Sequence, residues 1–181
     1  YYNVQKGMAS VDRLNEMLDI QNEIENTQGS LSLESINNQI EFRNVEFKYP
    51  GTNNPVLRDI NLKFKAQEVT ALVGLSGAGK TSLVDLIPRF YDITDGSILF
   101  DGKEIKSFNL NALRSKIGIV SQEAILFNDT IKNNILFGIK DKSDDQVVEA
   151  ARMANALEFI NETELGLETI VGDRGVKLSG G

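Results

Sequence analysis

The sequence has no cysteine and no histidine in 181 residues. Without cysteine there are no disulfides, no thiolate metal sites and no thiol nucleophile. Without histidine the commonest general base and the commonest zinc ligand are gone, so a serine–histidine triad is excluded. No stretch approaches the roughly 18 apolar residues that a bilayer-spanning helix needs. No charged-then-apolar leader follows the first residue, Tyr1. A basic excess is also lacking: 19 Lys and Arg stand against 26 Asp and Glu, a formal charge of −7. That balance argues against a general nucleic-acid binder. What is present is ordinary globular composition, 41% apolar and 25% charged. The length suits one domain, or one domain with an appendage. The chain stops at Gly180-Gly181 with no closing element, so we expect an interior fragment of a longer protein.

Met8, Val11, Leu14 and Leu18 sit near helical spacing, which predicts an amphipathic helix at the start. Residues 21–38 are rich in Asn, Gln, Glu and Ser and predict a linker or surface turn. Ile40 and Phe42, then Val45 and Phe47, alternate with polar residues. The change of phase between the two pairs predicts a bulged strand. Ile60, Leu62 and Phe64 predict a second strand. Val69 to Val73 is a nearly continuous apolar run, the pattern of a strand buried on both faces of a parallel sheet. A helix is expected over 79–87, ended by Pro88, which lacks the amide hydrogen that continues a helix. Ile98 to Ile105 around Asp101-Gly102 predicts a hairpin, and Ile117 to Val120 another short buried strand. Helices are expected over 109–115, 130–137 and 144–161, the last capped by Ser143. The fold class that follows is α/β, with an added antiparallel β layer and a helical subdomain.

One motif carries chemistry. Gly74-Leu75-Ser76-Gly77-Ala78-Gly79-Lys80-Thr81 matches G-x-x-x-x-G-K-T/S at every position. Glycines let successive backbone amides turn inward toward phosphate oxygens. Lys80 supplies a full positive charge for the β- and γ-phosphates, and the Thr81 hydroxyl is suited to Mg2+. The motif sits between an expected strand and an expected helix, which is the context a phosphate loop requires.

With that motif, the chain resembles the nucleotide-binding domain of ATP-binding-cassette transporters. It is most similar to the exporter type in which membrane and nucleotide domains share one chain, and to the lipid and multidrug exporters within it. Leu178-Ser179-Gly180-Gly181 resembles the start of the family's LSGGQ signature, and Gln122 after Ile119-Val120-Ser121 resembles its Q-loop glutamine. Tyr49 stands where the family has an adenine-stacking aromatic, with Val56 as an apolar wall beside it. Val171-Gly172-Asp173-Arg174-Gly175 resembles the exporter loop that meets the membrane domain. Residues 7–19 resemble the end of the last membrane helix running into the nucleotide domain.

The resemblance implies a P-loop NTPase core whose C-terminal part is missing. Its domain plan is the end of a membrane-domain helix at 1–20, a linker at 21–38 and the nucleotide domain at 39–181. The helical subdomain would start near 123. ATP would be held by Tyr49, Val56, Gly74, Leu75, Ser76, Gly77, Ala78, Gly79, Lys80, Thr81 and Ser82. Ser179, Gly180 and Gly181 would face the γ-phosphate bound by a second such domain, in a head-to-tail dimer. Thr81 and Gln122 would hold Mg2+, and Gln122 would help position water. The implied partners are that second domain, the chain's own transmembrane domain and a lipid or hydrophobic substrate, at the cytoplasmic face of the cell membrane. The family's Walker B carboxylates and switch histidine have no match here, so the 181 residues alone are expected to hydrolyse little ATP. A soluble cassette ATPase of DNA repair or translation, or a separate importer subunit, is the alternative.

Overall fold

The computed structural model describes residues 8, 11, 13–15, 29–121, 125–139 and 141–172. They fall into two compact units, Tyr1–Gly118 and Ile119–Gly181.

The first unit is built on a four-stranded antiparallel sheet in the order β2-β1-β3-β4. Its strands are β1 (Gln39–Phe47), β2 (Leu57–Lys65), β3 (Asp95–Phe100) and β4 (Lys103–Glu104). The phase change along β1 is a bulge: Phe42 pairs with Leu62, but Val45 pairs with Ile60. Asn44 adopts a left-handed φ of 47° there. Its amide donates to Asn61 Oδ1 at 2.9 Å and its side-chain amide donates to Asp59 Oδ1 at 2.8 Å, so the extra residue keeps its polar groups bonded. The bulge keeps Phe42, Val45 and Phe47 on the buried side.

Two short helices pack with the sheet, α1 (Lys80–Asp85) and α2 (Leu110–Arg114). Leu83 of the first with Leu86 at its C-terminal cap, and Leu110 and Leu113 of the second, join Phe42, Phe47, Ile98 and Phe100 in one core. Asn109 caps α2, its side chain accepting from the Ala112 amide at 3.1 Å. After Asp85 the chain closes on itself. The Arg89 amide donates to Leu86 O at 3.1 Å and the Phe90 amide to Asp85 O at 3.0 Å. Arg89 is left-handed at φ 55°. This is a Schellman-type ending with arginine in the position usually taken by glycine. Arg89 is buried and fixed by two bonds to the Asp92 carboxylate, of 2.7 and 3.1 Å.

Residues 29–38, expected as linker, are fastened to this unit. Leu31 forms a bridge to Phe108, and Leu33 is buried in the core. The Asp101 carboxylate accepts the amides of Asn37, Asn38 and Gln39 at 2.7, 2.9 and 2.9 Å.

The expected strands at 69–73 and 117–120 do not form. Both segments are irregular, with Val73 91% and Val120 99% exposed. A parallel strand is held by neighbours on its edges and by layers on both faces. Among the described residues no strand pairs with either segment. The initial stripe is helical at Met8, Val11 and Arg13–Asn15, and Met8, Val11 and Leu14 are exposed; Leu18 lies outside the described residues.

The second unit holds α3 (Ile131–Ile135), α4 (Asp144–Met153) and α5 (Leu157–Glu162). Its core is Ile131, Ala151, Ile160 and Val171. Ser143 caps α4 in a reciprocal box with Gln146. The single helix expected over 144–161 is two helices. Asn155, at φ 54°, ends the first by donating to Arg152 O, while the Ala156 amide donates to Ala151 O. Asparagine tolerates the left-handed cap better than most residues, so the chain turns there.

A candidate nucleotide site on the phosphate loop

The loop Gly74–Lys80 leads directly into α1. Lys80 turns back over it. Its Nζ donates to Gly74 O at 2.9 Å and to Leu75 O at 2.7 Å. The ammonium is thereby held over the loop by two carbonyls, and among the described residues one of its three donor hydrogens is uncommitted.

Gly77 and Gly79 are both left-handed, at φ 79° and 82°. Gly79 has a second reason to be glycine. A Cβ there would lie 2.8 Å from Leu57 Cδ2 and 3.3 Å from Val56 Cγ1. The start of β2 is packed against the end of the loop, with no room for a methyl group. Among the described residues no protein acceptor takes the amides of Gly77, Gly79, Lys80 or Thr81. A run of unpaired amides beside a fixed ammonium suits a polyanion. The geometry therefore fits a phosphate chain.

Tyr49 lies next to this loop. Its hydroxyl and Ser82 Oγ are 2.8 Å apart, and Ser82 is buried on α1. The Tyr49 ring meets Phe47 edge-on at 4.9 Å and Tyr91 edge-on at 5.1 Å between centroids. Its backbone is fixed by a turn in which the Thr52 amide and hydroxyl both donate to Tyr49 O, at 3.1 and 2.7 Å. Val56 is 38% exposed and stands over Gly79.

The structure thus brings Tyr49, Val56, Lys80, Ser82 and the loop glycines together, with Thr81 exposed at the start of α1. Gln122, Ser179, Gly180, Gly181 and the Asp173–Gly175 stretch lie outside the described residues. Tyr91 is not among the residues that the sequence singled out. The signal was its place four residues after the expected helix end at residue 87, in Arg89-Phe90-Tyr91-Asp92. The ion pair within that stretch holds the corner from which the Tyr91 ring reaches Tyr49.

The Asp92 carboxyl feels burial, which works against ionisation. The hydrogen bonds and charge of Arg89, with Lys106 adding, more than offset it and hold the group below the usual carboxylate range. Arg114 secures the same corner, donating to Pro88 O at 3.0 Å and Arg89 O at 2.7 Å. Its guanidinium sits 5.4 Å from the centre of the Phe90 ring.

Sheet, loop and helix together define the class: a phosphate-loop nucleotide-binding fold. Comparison with known proteins makes this narrower. The profile of the family described as "ABC transporter" matches residues 57–181. The chain belongs to that family. Over 98% of its length it is 48% identical to an ATP-dependent lipid A-core flippase of Syntrophus aciditrophicus. It is 47% identical, over the same share, to the protein of that name from Escherichia coli K12. The chain spans 29% and 30% of those two relatives. Among solved structures it is similar to a bacterial Atm1-family ABC exporter with ATP bound. That match has a TM-score of 0.83 and 35% identity, covering 99% of this chain and 32% of that one.

Proposed function

We propose that this chain is the ATP-binding domain of an exporter that moves a lipid or another hydrophobic molecule across a membrane at the expense of ATP. The observation that carries the proposal is Lys80, held by Gly74 O and Leu75 O over a loop with two left-handed glycines and unpaired amides. The flippase relatives and the ATP-bound exporter support both the nucleotide and the direction of transport.

In this reading Lys80 and the loop amides bind the triphosphate, and the Tyr49 ring carries the base, with Val56 beside it. Thr81 and Gln122 are the residues that would hold Mg2+, whose charge neutralises the phosphates when it is bound. Among the described residues no group of three or more Asp, Glu, His or Cys could hold a metal alone. Ser179, Gly180 and Gly181 would close over the nucleotide of a second such domain. Tighter binding in the closed pair than in the open one is what converts nucleotide binding into movement. The partner domains in the membrane would carry the substrate site, with residues 1–20 and 21–38 as the connection and 39–181 as the nucleotide domain. Among the described residues no helix is long and apolar enough to cross a membrane.

The test is Lys80→Ala in the intact protein reconstituted in proteoliposomes. A charge-assisted hydrogen bond is worth about 1.5–3 kcal/mol. ATP affinity should therefore fall by roughly 10- to 150-fold, and ATP-dependent movement of a fluorescent lipid should stop. Wild-type ATP affinity in the variant would overturn the assignment.

A further inference from the structure

The bond between Tyr49 and Ser82 has no place in a simple stacking role. Stacking needs a flat ring and makes no use of the phenol oxygen. A serine inside a helix ordinarily points to solvent or bonds back to the carbonyl four residues earlier. Ser82 does neither. It is 6% exposed, and its one hydroxyl bond among the described residues crosses to Tyr49, 33 residues away in sequence.

We infer that Ser82 is a positioning residue for the base platform: it ties the Tyr49 ring to the helix that carries Lys80 and Thr81. This rests on the reading of Tyr49 as the surface that carries the base. The surroundings are arranged for it. Thr52 fixes the Tyr49 backbone, leaving the side-chain torsions as the main freedom. Phe47 and Tyr91 flank the ring edge-on, and the hydroxyl bond removes what rotation remains. Tyr91 is itself set by the corner that Arg89, Asp92 and Arg114 lock. Base site and phosphate site then form one rigid body, set at a fixed spacing before the ligand arrives.

The consequence for binding is pre-organisation. A ring released from Ser82 can spread over up to three rotamers, and apparent affinity falls in proportion to the fraction that remains competent. The expected loss is about threefold, and at most about tenfold for one neutral hydrogen bond.

The experiment uses the intact protein with divalent cations chelated, so that no turnover occurs. Affinities for ATP and for inorganic tripolyphosphate are measured by calorimetry. Tyr49→Phe should weaken ATP about threefold to tenfold and leave tripolyphosphate unchanged, and Ser82→Ala should weaken ATP more than it weakens tripolyphosphate. The double variant should be no weaker than Ser82→Ala alone, because both substitutions remove the same bond. Ser82→Thr, which keeps the hydroxyl, should restore the affinity. In steady-state assays with Mg2+ the loss should appear in KM for ATP. If Ser82→Ala weakens tripolyphosphate as much as ATP, the serine acts on phosphate directly and the inference is overturned. If Tyr49→Ala weakens ATP but Tyr49→Phe does not, the platform stands and its tie to Ser82 falls. If Tyr49→Ala binds ATP like the wild type, the platform reading itself is wrong.

Discussion

Substituting alanine at Gly77 and at Gly79 separates two costs that the phosphate loop combines. Both residues are left-handed, at φ 79° and 82°. An L-residue there costs roughly 1–2 kcal/mol. At Gly77 a Cβ would meet nothing within 4 Å, so that is the whole cost. At Gly79 it would stand 2.8 Å from Leu57 Cδ2. Leu57 is buried and cannot simply swing away. Pushing it off its rotamer adds about 1 kcal/mol, for a total of roughly 2–3 kcal/mol. The strain is released when α1 opens, so hydrogen exchange of its amides reports it. Peptides covering residues 80–90 should exchange about 5- to 30-fold faster in Gly77→Ala and about 30- to 150-fold faster in Gly79→Ala. Mass spectrometry on the apo protein measures both. Equal acceleration in the two variants would refute the claim that β2 crowds the loop, and no acceleration in either would refute the strain argument altogether.

Acid should loosen the first unit through two carboxylates. Asp92 is held below the usual range by Arg89 against the effect of burial, and Asp101 by the amides of Asn37 and Gln39 first, with Asn38 and Lys103 adding. A depressed folded value means the stabilisation is complete above the ordinary aspartate value, about 3.9, and is lost as pH falls through the folded one. Tyrosine fluorescence between pH 6 and pH 2 should show this loss, and Asp92→Asn and Asp101→Asn should each flatten it; an unchanged profile in both would show that these groups do not set the acid limb. In the second unit, Ser143→Ala removes a capping box and should destabilise α4 by about 1 kcal/mol, read as roughly fivefold faster exchange over residues 144–153.

What the sequence revealed was mainly what is local. Alternation in 40–47, 60–64 and 98–105 predicted the antiparallel sheet, and a phase change predicted its bulge, because strand period is a property of neighbouring residues. The phosphate loop was legible for the same reason: its glycines, lysine and threonine act within eight consecutive positions. The apolar runs at 69–73 and 117–120 misled because burial depends on partners, and a run states only that partners are wanted. Leu33 was missed because one leucine among polar residues has no period, and the fastening of the segment was missed because Asp101, which holds the amides of Asn37, Asn38 and Gln39, lies more than 60 residues away. Asn155 was the overlooked signal in 144–161, a residue suited to a left-handed cap within an otherwise continuous apolar spacing. The Tyr49–Ser82 bond joins residues with no shared pattern, and only the folded chain reveals it.

The fastening of residues 29–39 has a mechanical consequence. A free polar linker behaves as an entropic spring and dissipates a pull in its own slack. Here the Leu31 amide donates to Ser107 O, the Asn109 amide donates to Leu31 O, and Asp101 grips three successive amides further along. The bridge between Leu31 and Phe108 is parallel, so a tug along the chain loads its two bonds together, in shear. A displacement arriving at residue 29 is therefore delivered to the β3–β4 hairpin within about ten residues, as travel rather than as stretch.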